Sequence, residues 1–231
     1  MEKILIVMLT HDKYVGLIPK VWGSLLEVEI PTGFEADAII VAEDDNPKCI
    51  EYCQDNNLPV RIFNTDYRKL GEYLTNPKWK SPTTYRTFLE CFKISEIRNR
   101  YLELGEQGDY DWILLCDGDV VPPKDGLEIF IDSGKKYIGA AVNSIKRKNK
   151  LEGYYVTPWI KDAEKPYKVS IMGNCFHLEH KDVFKIRYIM PDLRPICSDA
   201  PTRCGDAIKA GFDIWCDPTV ICQHLDSEND V

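Results

Sequence analysis

The chain has 231 residues, of which 44% are hydrophobic and 29% charged, and its formal net charge is −8. That length accommodates one large domain with a sizeable core, and the acidic balance excludes the global basic field that nucleic-acid binding uses. The longest early apolar run, Ile4 to Leu9, is broken at once by Thr10-His11-Asp12, too soon for a signal or membrane segment. The expectation is a soluble, cytoplasmic protein. Nine cysteines, an odd count without an export signal, are expected to be buried or free thiols, and Cys49-x₃-Cys53 lacks the second pair that a structural zinc site needs.

In chain order, Lys3 to Met8 predicts a buried strand followed by the polar loop Thr10-His11-Asp12-Lys13. A short helix is expected over Val21 to Val28, then a turn at Pro31-Thr-Gly33 and a second buried strand, Ala36 to Ala42, that delivers Glu43-Asp44-Asp45. A helix from Pro47 to Asp55 and a strand from Pro59 to Phe63 continue the strand–helix rhythm of a parallel α/β sheet. From Thr83 to Leu104 the spacing of Cys91, Ile94, Ile97, Tyr101 and Leu104 predicts a long helix, on which Arg98 and Asn99 are expected at the surface. Further on come a helix from Gly126 to Ile131 and a strand from Tyr137 to Val142. Ser144 to Asp162 is basic and aromatic, including Lys146-Arg-Lys-Asn-Lys150, and is expected to be extended with a mobile loop. Val169 to Leu178 contains Met172-Gly173-Asn174-Cys175-Phe176 and is followed by an expected helix from His180 to Ile186. The proline-containing loop Pro191 to Asp199 precedes a helix opened by Pro201 and ended by Gly211. A strand from Phe212 to Cys216, a turn at Asp217-Pro218 and an alternating stretch, Thr219 to Cys222, lead to His224 and a tail from 225 to 231.

The most informative stretch is Trp112-Ile-Leu-Leu-Cys-Asp117-Gly-Asp119-Val-Val-Pro-Pro123. A buried strand ends there in two carboxylates separated by a glycine. Residues i and i+2 of an extended segment share a side, so Asp117 and Asp119 can converge on one ligand, and Gly118 lets that ligand approach closely. Two hard oxygen anions suit Mg²⁺ or Mn²⁺, whose remaining positions are filled by phosphates and water. Asp-Gly is also a hairpin signal, but the returning strand would meet Pro122-Pro123 at once. Ligands of parallel sheets bind at the carboxyl ends of the strands, where Thr10-His11-Asp12, Glu43-Asp44-Asp45 and the Asp-Gly-Asp would share one edge.

Together these features resemble the GT-A glycosyltransferases, most closely the family-2-like group, over nearly the whole chain. The parts that carry the resemblance are the Thr10-His11-Asp12 and Glu43-Asp44-Asp45 strand ends, Arg98-Asn99 on its helix, and Asp117-Gly-Asp-Val-Val-Pro-Pro. They continue with Ile138-Gly-Ala, Met172-Gly-Asn-Cys-Phe-His-Leu with Asp182-Val-Phe184, and Cys204 through Gly211-Phe-Asp-Ile-Trp-Cys-Asp-Pro-Thr to His224. The resemblance implies an α/β fold, a mixed and mostly parallel sheet flanked by helices. It implies one domain, with residues 1–123 as the nucleotide- and metal-binding half and 124–224 as the acceptor side. It also implies transfer from a nucleotide sugar, UDP-linked by preference or GDP-linked, to a carbohydrate or other hydroxyl acceptor. Asp117, Asp119 and His224 would hold Mn²⁺ or Mg²⁺. Thr10, Asp12, Glu43, Asp44, Arg98, Asp117, Gly118, Gly173 and Asn174 would line the donor site. The family's general base belongs to a Glu-Asp pair that falls here on Asp199-Ala200, so Asp199 is the expected base for an inverting reaction, with Asp192 and Asp206 as alternatives. Four apolar residues before Asp-x-Asp-x-Val also resemble the nucleophile motif of haloacid-dehalogenase-like phosphatases. The absence of a second carboxylate beside Asp199 leaves a third reading, a catalytically silent nucleotide-sugar or glycan-binding protein.

Overall fold

A computed structural model describes residues 1–66, 82–143, 156–158, 160, 163–173, 175–188 and 199–225. Strand β1 (Glu2–Leu9) alternates perfectly between two cores: Ile4, Ile6 and Met8 face one helical layer, and Leu5, Val7 and Leu9 face the other. A strand buried on both faces has no polar side to show, and so its sequence is one apolar run. A 3₁₀ turn (Asp12–Leu17) feeds helix α1 (Ile18–Leu26), which begins before the expected Val21 because Pro19 suits a first helical turn. Strand β2 (Phe34–Glu43), helix α2 (Pro47–Asp55) and strand β3 (Val60–Phe63) follow as the sequence predicts.

The long helix α3 (Pro82–Gln107) lies against strand β4 (Trp112–Asp117). Gly105 sits inside this helix, where a Cβ would come within 2.5 Å of Ile113 Cδ1, so the glycine sets how closely helix and strand approach. Strand β5 (Val120–Val121), helix α4 (Gly126–Asp132) and strand β6 (Tyr137–Asn143) come next. Within the stretch expected to be extended, Ser144 to Asp162, the described residues include β7 (Val156–Thr157), and β8 (Tyr167–Val169), β9 (Ile171–Met172) and β10 (Phe176–His180) follow it. Helix α5 (Lys181–Phe184) is a single turn, and α6 (Asp199–Lys209) opens two residues before the expected Pro201. The last strand, β11 (Ile214–His224), runs straight through the expected Asp217-Pro218 turn. There the Asp217 carboxylate accepts from the Thr219 amide at 2.9 Å and hydroxyl at 2.6 Å, which turns the predicted break into a register shift between Asp217 and Ile221.

The main sheet has the order β3-β2-β1-β4-β10-β6-β11-β5, with β8 paired to β11. β3, β2, β1 and β4 are mutually parallel, β10 enters antiparallel between β4 and β6, and β11 is parallel to β6. Two reversals restore direction, so β1, β2, β4, β6 and β11 end at one edge, and β10 starts there. Strand order reverses at β1, whose neighbours β2 and β4 lie on opposite sides. Such a switch point opens a crevice outside the strand ends. Six of the described cysteines, including Cys49 and Cys53, are buried free thiols and Cys175 is a half-buried one. No helix among the described residues is long and apolar enough to cross a membrane. The basic cluster Lys146–Lys150 and Asp192 lie outside the described residues.

Candidate active site at the carboxyl edge of the sheet

The apolar residues of β4 hold Asp117 at the switch point, opposite Leu9 of β1. A Cβ on Gly118 would meet the Leu9 carbonyl oxygen at 2.7 Å, so the glycine is required by the end of β1 itself rather than only by a ligand. The chain turns at Gly118-Asp119, and β5 pairs with β11 instead of folding back on β4. Two backbone bonds clasp this turn, from the Asp117 amide to the Cys175 carbonyl at 2.8 Å and from the Leu225 amide to the Asp119 carbonyl at 2.7 Å.

The pairing of Val120 with His224 brings the end of β11 beside Asp119. His224 Nε2 lies 3.5 Å from Asp119 Oδ2, and each residue is only 6% exposed. Because the strand alternation does not continue through the turn, Asp117 has a different partner: Arg98 Nη2 approaches its Oδ1 at 3.4 Å. Arg98 is 7% exposed and Asn99 bonds the backbone of Tyr188, which corrects the expected surface placement of both. Tyr14 is a residue that the sequence patterns did not single out. It sits in the 3₁₀ turn, where its phenol comes under the influence of the Asp119 carboxylate. Burial, then the Asp119 and Asp117 charges, push the Tyr14 phenol far above its usual range, so it remains a donor.

Thr10 is buried at the end of β1, and its Oγ1 has no hydrogen-bond partner among the described residues. Asp12 ties two elements together: its Oδ1 accepts from the Cys49 amide at 2.9 Å in the first turn of α2, while its own amide donates to Asn46 Oδ1 at 3.1 Å. Glu43 is buried at the end of β2 and accepts from the Thr65 hydroxyl. Burial raises its carboxyl, and the Thr65 bond and the Lys93 charge only partly offset that. Asp44 is exposed beside it, and Asp45 pairs with Lys93. Gly173 lies between β9 and β10, beyond Cys175 at the same edge, and Asn174 falls outside the described residues. Asp199 begins α6, and Asp206 is paired with Lys209 at 2.9 Å.

The edge fits a divalent cation with few protein ligands. Two donors bound at about 2.1 Å in adjacent octahedral positions lie about 3 Å apart, close to the Asp119–His224 separation. Carboxylate oxygen with imidazole nitrogen is a donor set that Mn²⁺ accepts. No group of three or more His, Cys, Asp or Glu side chains among the described residues converges on one point, so phosphates and water would complete the shell.

No family model and no curated protein matches the sequence. Solved structures do resemble it. GalNAc-T7 with UDP, GalNAc and Mn²⁺ aligns with a TM-score of 0.62 at 12% identity, over 98% of this chain and 44% of that one. Staphylococcus aureus TarS 1-349 with UDP aligns at 0.54 and 14% identity, over 100% and 62%. The mannosyltransferase PcManGT from Pyrobaculum calidifontis, with GDP-Man and Mn²⁺, aligns at 0.54 and 10% identity, over 96% and 56%. The chain spans less than two thirds of the length of each of these three structures. At these identities the likeness concerns architecture alone: a mixed, mostly parallel sheet flanked by helices, the GT-A fold that glycosyltransferases share.

Proposed function

We propose that the protein is a metal-dependent glycosyltransferase that moves a sugar from a nucleoside diphosphate to a hydroxyl acceptor. The observation that carries this reading is the meeting of Asp119 and His224, both withdrawn from water, 3.5 Å apart at the switch-point edge of this fold. Asp119 and His224 would hold Mn²⁺ or Mg²⁺, which supplies Lewis-acid stabilisation of the leaving diphosphate. Arg98 would hold Asp117 at the side of the site, and Tyr14, in the loop after β1, would act on Asp119. Buried Thr10 Oγ1, with no hydrogen-bond partner among the described residues, is available to a ligand at the switch point. Glu43 at the end of β2 would offer its carboxyl to a ribose or base, and Gly173, between β9 and β10, would line the donor-sugar side.

Residues 1–123 would carry the nucleotide and cation, and 124–224 the acceptor. Asp199, which opens α6, is the proposed general base: its carboxylate would take the acceptor's proton as the hydroxyl attacks the anomeric carbon, with inversion. A UDP-linked donor is preferred, with GDP as the alternative nucleotide. Two of the similar structures hold UDP or GDP-mannose together with Mn²⁺.

The test is a thermal-shift titration with UDP, GDP, CDP and dTDP, each with and without Mn²⁺, on the wild type and Asp119→Ala. A ligand at a hundredfold excess over its dissociation constant adds about 2.7 kcal/mol of stability. The expected result is a Mn²⁺-dependent shift with one nucleotide that vanishes in the variant. Absence of a shift with every nucleotide overturns the reading and directs attention to phosphatase substrates. Binding without transfer to any acceptor makes the protein a silent nucleotide-sugar binder.

A further inference from the structure

Behind the candidate site lies a polar cluster that the proposed chemistry does not use directly. Arg203 of α6 and Glu179 of β10 are both fully buried. The guanidinium forks onto the carboxylate, with Nη2 2.6 Å from Oε2 and Nη1 on Oε1, and Arg203 Nε donates to the Ile186 carbonyl at 2.9 Å. Arg203 Nη1 also donates to the Tyr188 hydroxyl at 2.8 Å, and its guanidinium lies 4.2 Å from the centre of that ring. Tyr188 is held from a third side by α3. Its amide donates to Asn99 Oδ1 at 2.7 Å, its carbonyl accepts from Asn99 Nδ2 at 2.8 Å, and its hydroxyl shares a 2.7 Å bond with Tyr101.

This cluster reaches the site through Arg98. The Arg98 guanidinium lies 5.6 Å from the Tyr188 ring centre and 3.4 Å from Asp117 Oδ1. Tyr188 therefore meets two guanidiniums, one locked to Glu179 and one turned toward the Asp-Gly-Asp turn. The chain leaves the cluster at Tyr188 and returns to it at Arg203, one helical turn after Asp199 opens α6.

A buried ion pair is a poor source of stability, because desolvation offsets most of the attraction and apolar replacements of similar volume are often as stable. What a forked, fully bonded pair does provide is a fixed relative position of the elements that carry it. Resting on the reading of the edge as a nucleotide-sugar site, we propose that Arg203 and Glu179 are positioning residues. Through Tyr188 they set Arg98, and so Asp117, while fixing the register of the helix that Asp199 begins.

The experiment pairs an apolar replacement with a binding measurement. Arg203→Met/Glu179→Leu removes both charges but leaves the Ile186 carbonyl and His177 Nε2 without these partners, so a lowered melting temperature is expected and binding is measured well below it. Affinity for UDP with Mn²⁺, or for GDP with Mn²⁺ if the titration selects it, is expected to fall at least tenfold by calorimetry. Wild-type affinity in a folded double variant overturns the proposal and makes the pair purely structural. Should that variant not fold, Tyr188→Phe serves instead. It keeps the ring between the guanidiniums, loses the hydroxyl tie, and is expected to weaken binding severalfold; unchanged affinity there overturns the proposal too. A wild type that binds neither nucleotide overturns the reading of the site as well, so the two failures are distinct.

Discussion

Among the described residues, the buried carboxylates of Glu179 and Asp119 each lie beside a nitrogen-bearing side chain, and they are built in opposite ways. Glu179 is closed: both oxygens are taken by the Arg203 fork, Oε2 at 2.6 Å, and His177 Nε2 lies 2.7 Å from Oε1. Asp119 is open: its histidine stands 3.5 Å away, beyond the range of a good hydrogen bond. A closed pair leaves no position for a ligand and can only fix its neighbours. The Asp119–His224 pair, 3.5 Å apart at a strand end, is the looser of the two. Burial alone does not separate the two, whereas distance and the count of satisfied oxygens do.

The comparison is broken most severely by removing one member of the closed pair. Glu179→Ala leaves a buried guanidinium without its anion, and a loss of about 3–5 kcal/mol in urea unfolding is expected. Acid provides a second test of the same pair. Burial pushes the Glu179 carboxyl up, but Arg203 and His177 more than reverse this and hold it at about 2, below its ordinary 4.5. His177 is held below its ordinary 6.5 by burial, against the opposing pull of Glu179, so at neutral pH it is uncharged and donates from Nε2 to that carboxylate. Both folded-state values are depressed, so the unfolded chain binds more protons on acidification. The contribution is complete above about 6.5, falls first as the unfolded histidine protonates, and is lost further between 4.5 and about 2. Thermal melts from pH 7 to pH 3 should show this decline, and Arg203→Met/Glu179→Leu should remove its lower part.

On the open side, Gly118→Ala is expected to cost about 1–3 kcal/mol, because the new Cβ meets a backbone oxygen that cannot swing away. Nucleotide affinity should fall with it, and chemical denaturation beside calorimetry would read both. The smallest expected change sharpens the comparison most. Tyr14→Phe removes the phenol hydroxyl that feels the Asp119 charge and leaves the closed pair intact. Manganese affinity measured by paramagnetic resonance is expected to fall about tenfold, in line with other partners of metal ligands, with little change in melting temperature.

How much of this was legible in the sequence depended on whether a residue's role follows from a periodic pattern. β1, β2, β4 and α2 are apolar runs or bounded segments, and they fold as read. The Asp-Gly-Asp stretch announced a strand end, whereas His224, expected in a strand tail after the turn at Asp217-Pro218, is the final residue of the continuous strand β11. Arg98 was misplaced because the pattern counted only apolar residues on α3. The buried residues of this helix include Phe92, Ser95, Ile97, Arg98, Tyr101 and Leu102, whereas the apolar Ile94 is 41% exposed. Its spacing of three from Tyr101 was the available signal. His177 and Glu179 lay in a stretch, Phe-His-Leu-Glu-His, that alternates like a half-solvated strand, yet both faces of β10 are covered. Tyr14 lies in a 3₁₀ turn, where no period betrays direction. Nothing local links Asp119 to His224 either, since only the β5–β11 pairing joins them.

The reversed strand β10 also constrains the order in which the protein can be completed during synthesis. It fills the centre of the sheet, between β4 and β6, yet it is made after both. Until it emerges, β4 has β1 on one side and an unpaired row of amides and carbonyls on the other, an edge of the kind on which chains aggregate. Long-range pairing of this sort is slow to form because the intervening chain must be ordered first. A nascent chain stopped before Phe176 would therefore carry a finished first half with a sticky flank, and its survival on the ribosome would depend on how soon that flank is covered.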